Sequence, residues 1–84
     1  MIQIIVSVKD RMAEAFGRPF FVPSVGLAIR SFSDEVNRQD KDNQMFHHSD
    51  DFDLFELGTY DDATGIIECL PQPKQIALGK SVKV

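Results

Sequence analysis

The segment of residues 24–38 constrains the fold most, because it has the spacing of an amphipathic helix. Its apolar side chains recur at intervals of four, three and four residues, which places them on one stripe of a helix: Val25, Ile29, Phe32 and Val36. Ser24 is suited to cap the first turn, since its hydroxyl can accept a hydrogen bond from a backbone N–H there. One amphipathic helix does not fold alone, so the rest of the chain must supply a layer that covers the stripe.

Strand patterns before the helix predict part of that layer. Residues 2–8 alternate between apolar and polar side chains, with Ile2, Ile4, Val6 and Val8 on one face, except that the apolar Ile5 breaks the pattern on the other face. Residues 19–23, P-F-F-V-P, predict a short edge strand, because the prolines at its two ends cannot donate to a strand ladder. In that strand Phe20 and Val22 point one way, and Phe21 points the other way.

The clearest strand pattern is a hairpin formed by residues 52–60 and 66–70 around the turn D-D-A-T-G. Gly65 can take the positive φ that ends such a turn, while Asp61 or Asp62 can accept hydrogen bonds from its amides. The first strand has apolar side chains on both faces, Phe52 and Leu54 on one and Phe55 and Leu57 on the other. One face can contact the helix, and the other is available to a second subunit.

The remaining segments lack a clear period. Residues 10–17 are predicted to form a loop rather than a helical turn, and residues 39–51 to form a long loop. Pro71 and Pro73 are expected to close the hairpin. Residues 74–84, which contain three lysines, are compatible with either a short strand or a mobile basic tail.

Together these elements predict one α+β domain of residues 1–84, in which residues 71–84 are either packed or an extended tail. The sheet is expected to be four-stranded and mainly antiparallel, with the order β-β-α-β-β and the amphipathic helix packed on one face. A chain of 84 residues buries only about 60% of the surface that its unfolded form exposes. Because the hairpin is also apolar on both faces, we expect a symmetric homodimer.

Charge and composition limit the function classes. The net charge is −4, and residues 39–70 contain nine acidic side chains and one basic side chain, so nucleic-acid binding requires the arginines to collect on one surface. No apolar run approaches the roughly 18 residues of a membrane helix, and residues 1–8 are too short for a signal peptide. We therefore expect a soluble protein without membrane contact. The single cysteine, Cys69, suits a reducing compartment and is predicted to be a buried structural thiol.

The chain carries no catalytic or metal-binding motif, so it is predicted not to be an enzyme and to hold neither a metal nor a cofactor. His47 and His48 are adjacent, and adjacent histidines rarely converge on one ion. Asp40 and Asp42 resemble the start of a calcium loop, but the glycine and glutamate of that motif are missing from their positions. No nucleophile elbow and no glycine-rich phosphate loop occur.

The residues best suited to bind nucleic acid are aromatic side chains interleaved with arginines, which can stack on bases and hold phosphates. The candidates are Arg11, Arg18, Phe20, Phe21, Arg30 and Arg38, and Phe16 belongs to the same cluster as Arg18, Phe20 and Phe21, with Arg11 close by. In the alternative interpretation Phe20 and Phe21 are core or interface residues and the arginines are solvated. Residue chemistry alone favours this alternative, and the acidic hairpin is likewise typical of a solubilising surface.

Three motifs occur in the order R-P-F-F-V-P, A-I-R-S-F-S-D-E-V-N-R and D-F-D-L-F-E-L-G-T-Y-D-D-A-T-G. Together they resemble the small nonstructural protein of the gokushovirus-like microviruses, which are single-stranded DNA phages. The resemblance implies a non-capsid protein in the cytoplasm of the infected bacterium, a DNA-binding accessory of genome replication or packaging. Its ligand is then expected to be single-stranded DNA. The alternative is a protein-interaction module that captures a host or phage protein through the acidic hairpin or a strand edge.

Overall fold

The amphipathic segment forms helix α1, Val25–Val36, in the computed structural model, which describes residues 1–84. The predicted cap is confirmed, because the Ser24 hydroxyl accepts from the Leu27 amide at 3.2 Å. The helix ends at Val36, short of the predicted end at residue 38, and the Asn37 side-chain amide donates to the Ser33 carbonyl there. On the apolar stripe the buried residues are Ala28, Phe32 and Val36.

One curled antiparallel sheet supplies the layer that the helix needs. Its strands are β1 (Ile2–Asp10), β2 (Ala15–Phe16), β3 (Phe20–Val22), β4 (Phe52–Asp61) and β5 (Ile66–Leu78). β4 pairs along one edge of β1, and the short strands β2 and β3 both pair with the other edge. β5 pairs with β4 and is an outer strand. The α+β class, the antiparallel sheet and the edge strand at residues 20–22 are confirmed, and β2 is added to the four predicted strands.

The prediction of a loop at residues 10–17 holds for the turn at residues 11–14 and is wrong for residues 15–16, because β2 folds back and pairs with the end of β1. The Asp10 carboxylate accepts hydrogen bonds from the amides of Met12 and Ala13, which tightens the turn. Glu14 completes the reversal at φ 55°, in the left-handed region. This side-chain-to-backbone bonding is characteristic of aspartate in turns and explains why a segment without strand periodicity forms a hairpin.

Residues 39–51 are not an irregular loop either. They contain α2, Gln44–His47, followed by a 3-10 helix, Ser49–Asp51. Asn43 organises the segment: its carboxamide oxygen accepts from the Met45 amide, and its amide nitrogen donates to the carbonyls of Glu35 and Arg38. Asn43 is buried, so this small polar side chain joins the end of α1 to the start of α2.

The two prolines do not close the hairpin, because β5 continues past them to Leu78. The register of β4 and β5 shifts near residue 57, so residues 70–73 form a bulge between two paired stretches. The chain then forms α3, Gly79–Val82, and its end is bound in place rather than extended. Asn37 donates to the Val82 carbonyl at 3.0 Å and accepts from the Val84 amide at 2.9 Å.

Alternation along the strands gives the sheet two faces. The helix-covered face contacts α1, and its residues include Ile4, Val6, Val8, Phe20, Val22 and Leu54. The open face carries the intervening residues, among them Ile5, Ser7, Lys9, Phe16, Phe21, Asp53, Phe55 and Tyr60. The centre of the core lies between α1 and the first of these faces, where Val6 and Leu54 are fully buried.

The hairpin of β4 and β5 has the predicted turn chemistry. Gly65 has φ 75°, and the Asp61 carboxylate accepts from the Ala63 amide. The prediction that Cys69 is buried is wrong, because it lies on an outer strand and is exposed. The core reaches Ile76 and Ala77 of β5 but none of residues 66–70, so this part of the hairpin is covered on neither face by the helix.

Candidate nucleic-acid interface

Two aromatic pairs lie on the open face. The ring centroids of Phe16 and Phe55 are 5.2 Å apart at 72°, and those of Phe21 and Tyr60 are 5.4 Å apart at 74°. Both pairs are edge-to-face, the arrangement that aromatic rings favour. Each joins an edge strand to β4 across β1. The outer ring of each pair remains accessible, with Phe16 41% and Phe21 48% exposed.

Between the aromatic pairs the floor of the open face is well packed. Ile5 is the cross-strand partner of Phe21, Ser7 is the partner of Phe55, and both are buried. The Ser7 hydroxyl donates to the Gly17 carbonyl at 2.7 Å, which ties the link between β2 and β3 to the central strand. The rings therefore lie on paired strands above a buried floor.

Basic groups collect at one end of the open face. The ammonium of Lys9 lies 5.5 Å from the centroid of the Phe16 ring, within cation–π range. The Arg11 Nε lies 3.2 Å from a carboxylate oxygen of Asp53, and Arg11 remains half-exposed. Asp53 is buried, and its other oxygen has no hydrogen-bond partner. This end therefore holds Lys9 and Arg11 with the single carboxylate of Asp53, which leaves one positive charge that is not compensated.

Apart from Asp53, the acidic side chains of the strands lie away from the open face. Glu56 pairs with Val6, and Glu68 pairs with Thr59, so both point to the side of the sheet opposite the open face. The register places Asp53 alone among the strand carboxylates on the open face, and Arg11 is its ion-pair partner. Although the whole chain has a net charge of −4, the local charge of this surface is not acidic.

The structure separates the two phenylalanines of β3. Phe20 lies on the helix-covered face and packs against the core, whereas Phe21 lies on the open face. Arg18 is exposed in the link between β2 and β3, one residue after Gly17. Of the six candidate residues, Arg11, Arg18 and Phe21 thus lie on the open face or along its edge.

The other two candidate arginines belong to the helical layer. Arg30 is exposed and stands half a turn away from Ala28 and Phe32, so it points away from the sheet. The Arg38 guanidinium donates to the carboxylates of Glu35 and Asp40, with distances of 2.6 to 3.1 Å. The hydrogen bond from Arg38 to Glu35 raises the pKa of the guanidinium. The structure does not bring these arginines together with Phe21.

Sequence reasoning missed Lys9, Phe55 and Tyr60 as parts of this surface. Their positions in the alternating pattern were a usable signal, since Phe55 falls opposite to Leu54 on β4. The alternating pattern does not give the pairing register of the strands. Lys9 is the cross-strand partner of Phe16 only because β2 folds back onto β1. No group of three or more metal-ligating side chains comes together in the structure. No helix is both long and apolar enough to cross a membrane.

The fold and this surface define a class: small α+β proteins with a curled antiparallel sheet, one face of which is covered by a helix and the other left open. Within that class, the chain belongs to the phage ORF5 protein family, whose sequence profile matches residues 3–82. This confirms the phage origin that the three motifs indicated. No curated protein and no solved structure matches the chain.

Proposed function

We propose that this phage protein is a non-enzymatic single-stranded DNA-binding accessory of genome replication or packaging, of the microvirus type, acting in the cytoplasm of the host bacterium. One observation carries the proposal. The open face presents two exposed aromatic rings, Phe16 and Phe21, with Lys9 and Arg11 at the end that holds Phe16, and its one strand carboxylate is already paired.

The chemistry of a single strand matches this surface. Every base has an apolar face that can stack on an aromatic ring, and every phosphate carries a charge that lysine or arginine can neutralise. Sheets with exposed aromatic residues on one face and helices on the other bind single-stranded RNA in this way, which is an analogy of architecture. The acidic side chains within residues 39–70 are compatible with this role. Among those in strands, the register places Asp53 alone on the open face.

The direct test is a titration of a labelled oligothymidylate with the purified protein, followed by fluorescence anisotropy at low and then moderate salt. We expect saturable binding that weakens as salt rises, because phosphate contacts release counterions. Arg18→Ala should weaken binding. Arg30→Ala is the matched control, since Arg30 lies on the far side of α1 and its loss should leave the affinity unchanged. A flat titration at low salt would contradict the proposal.

A second candidate function rests on the outer strand. β5 pairs with β4 on one edge only, and on this strand Ile66 is 56% and Ile67 54% exposed. An unpaired edge beside exposed apolar side chains can add a strand from another chain. That strand could come from a host or phage protein or, in a homodimer, from a second copy.

Sedimentation at micromolar concentration tests the homodimer. A dimer mass that Ile67→Lys converts to a monomer mass would support pairing through β5, because the charge blocks edge-to-edge contact. Glu68→Lys, on the other face of the same strand, is a matched change for comparison. A monomer mass for the unchanged protein would remove the homodimer, and an unchanged dimer in both variants would place its interface elsewhere.

A further inference from the structure

The two aromatic pairs of the open face are too far apart to serve one base. Phe16 stands opposite Lys9 and Phe21 opposite Ile5, so the pairs are separated by four residues along β1. At about 3.3 Å per residue this is about 13 Å. A ring-sized group stacked on one pair does not reach the other. The open face therefore has two places at which an aromatic ring can accept a planar ligand.

The two places differ in charge. Lys9 lies over Phe16, and the ion pair of Arg11 and Asp53 lies next along the strands. The pair of Phe21 and Tyr60 has no cation over either ring, and at its end of the sheet the Met1 ammonium is already paired with Asp62. The cross-strand partners of Tyr60 are Gln3 and Ile67, and that of Phe21 is Ile5, all of them uncharged.

From this asymmetry we infer that the open face binds single-stranded DNA at two unequal subsites, an inference that rests on the proposed function. The charged subsite, at Phe16 and Lys9, holds a phosphate together with its base. The uncharged subsite, at Phe21 and Tyr60, holds a base by stacking alone. The DNA strand lies along β1. The salt dependence of binding comes from the charged subsite, and the dependence on bases comes largely from the uncharged subsite.

Two kinds of measurement separate these contributions. The first is the slope of the logarithm of the binding constant against the logarithm of salt concentration, which counts neutralised phosphates. The second is the ratio of affinities for an oligothymidylate and for an abasic strand of equal length, which reports stacking. Both are measured by anisotropy on the full chain, with circular dichroism and thermal unfolding to show that each variant is folded.

Lys9→Gln is expected to reduce the salt slope by about one, as the loss of one phosphate contact does, and to leave most of the preference for bases. Phe21→Ala is expected to weaken thymidylate binding by about 5- to 150-fold, the range that one stacked base accounts for, while the salt slope is unchanged. Phe21→Tyr keeps an aromatic ring and should retain the binding of the unchanged protein. Phe21→Leu keeps the apolar bulk without the ring and should behave like Phe21→Ala.

Other outcomes overturn the inference in distinguishable ways. Equal changes of slope and of base preference in Lys9→Gln and Phe21→Ala would mean one undivided site. Equal binding of the thymidylate and the abasic strand would mean that phosphates alone are recognised, so the stacking subsites fail while DNA binding stands. If neither strand binds the unchanged protein at low salt, the proposed function itself fails and the two subsites fail with it.

Discussion

The two faces of the sheet differ in how far their apolar side chains are buried. On the helix-covered face, Val6 and Leu54 are completely buried beneath α1, with Phe32 of the helix 2% exposed. On the open face the apolar groups are mostly aromatic, and Phe16 and Phe21 leave 41% and 48% of their surface accessible. The first face has the close packing of a protein interior, whereas on the second only the floor at Ile5 and Ser7 is buried and the outer rings are not covered.

The difference shows that residue type does not decide the role of a side chain in this protein. Phe20 and Phe21 are adjacent and chemically identical, yet one packs in the core and the other faces outward. Alternation along a strand separates them, and the helix then covers one side only. Stability should therefore depend on one face and binding on the other, which substitutions can test.

The largest effect is expected on the covered face. Phe32→Ala removes a buried ring and should lower the free energy of unfolding by about 3–5 kcal/mol. Urea denaturation followed by circular dichroism measures this loss. Leu27→Ala, at a 38% exposed position of the same helix, is the control and should change stability far less. Equal losses in the two variants would contradict the assignment of the core to one stripe of α1.

The pair of phenylalanines on β3 gives the sharpest comparison. Phe20→Ala should cost up to about 3 kcal/mol of unfolding free energy, since Phe20 is only partly buried. Phe21→Ala should cost less than about 1 kcal/mol, as is usual for surface positions. Thermal and urea unfolding of both variants measure the difference. If Phe21→Ala were the more destabilising, the open face would be a second core rather than a binding surface.

A glycine pair tests how tightly the sheet itself is packed. A Cβ on Gly58 would clash with the Glu68 carbonyl oxygen, so Gly58→Ala should destabilise the protein by about 1–3 kcal/mol. Gly26 lies in α1 with open space around it. Gly26→Ala should therefore stabilise the protein by about 0.5–1 kcal/mol, because alanine loses less entropy in a helix. Opposite signs in urea denaturation support the register of β4 and β5, whereas a stabilising Gly58→Ala would contradict it.

The smallest effect is expected at the surface, far from both faces. A hydrogen bond from the Asp42 amide, aided by the charge of Arg38, lowers the pKa of Asp40 below its usual value of 3.8. A carboxylate with a lowered folded-state pKa stabilises the fold above the unfolded value, and that stabilisation is lost as pH falls through the folded value. Titration by NMR should give an Asp40 pKa below 3.8 in the folded protein. Arg38→Gln should move the Asp40 pKa upward, and an unchanged value would exclude the ion pair as a cause.

Local sequence signals predicted a large part of the fold. The stripe of α1 and its Ser24 cap, the edge strand between prolines and the positive φ of Gly65 were all confirmed. Each of these signals lies within a few residues, so it depends little on the rest of the chain. The short strand β2 and the helix α2 were missed because single side chains, Asp10 and Asn43, organise them.

The candidate site was less predictable, because its composition depends on strand pairing. Sequence reasoning grouped Phe20 with Phe21 and included Arg30 and Arg38, and the structure places Phe20 and the two arginines away from the open face. Lys9, Phe55 and Tyr60 enter it only through register. Cys69 is exposed because it lies on the outer strand and the register, which pairs it with Gly58 opposite Ile5, places it on the open face.

The sequence by itself determined the elements of this protein: a capped amphipathic helix, alternating strands and a glycine-ended hairpin turn. Only the tertiary structure decided which side of each strand is covered, how the chain end is bound to Asn37, and which rings share a surface with Lys9. The physical reason is the distance along the chain over which each kind of interaction acts. Propensities, caps and turns act over about four residues, whereas burial and cross-strand contact join residues far apart in the chain and exist only when the whole sheet has formed.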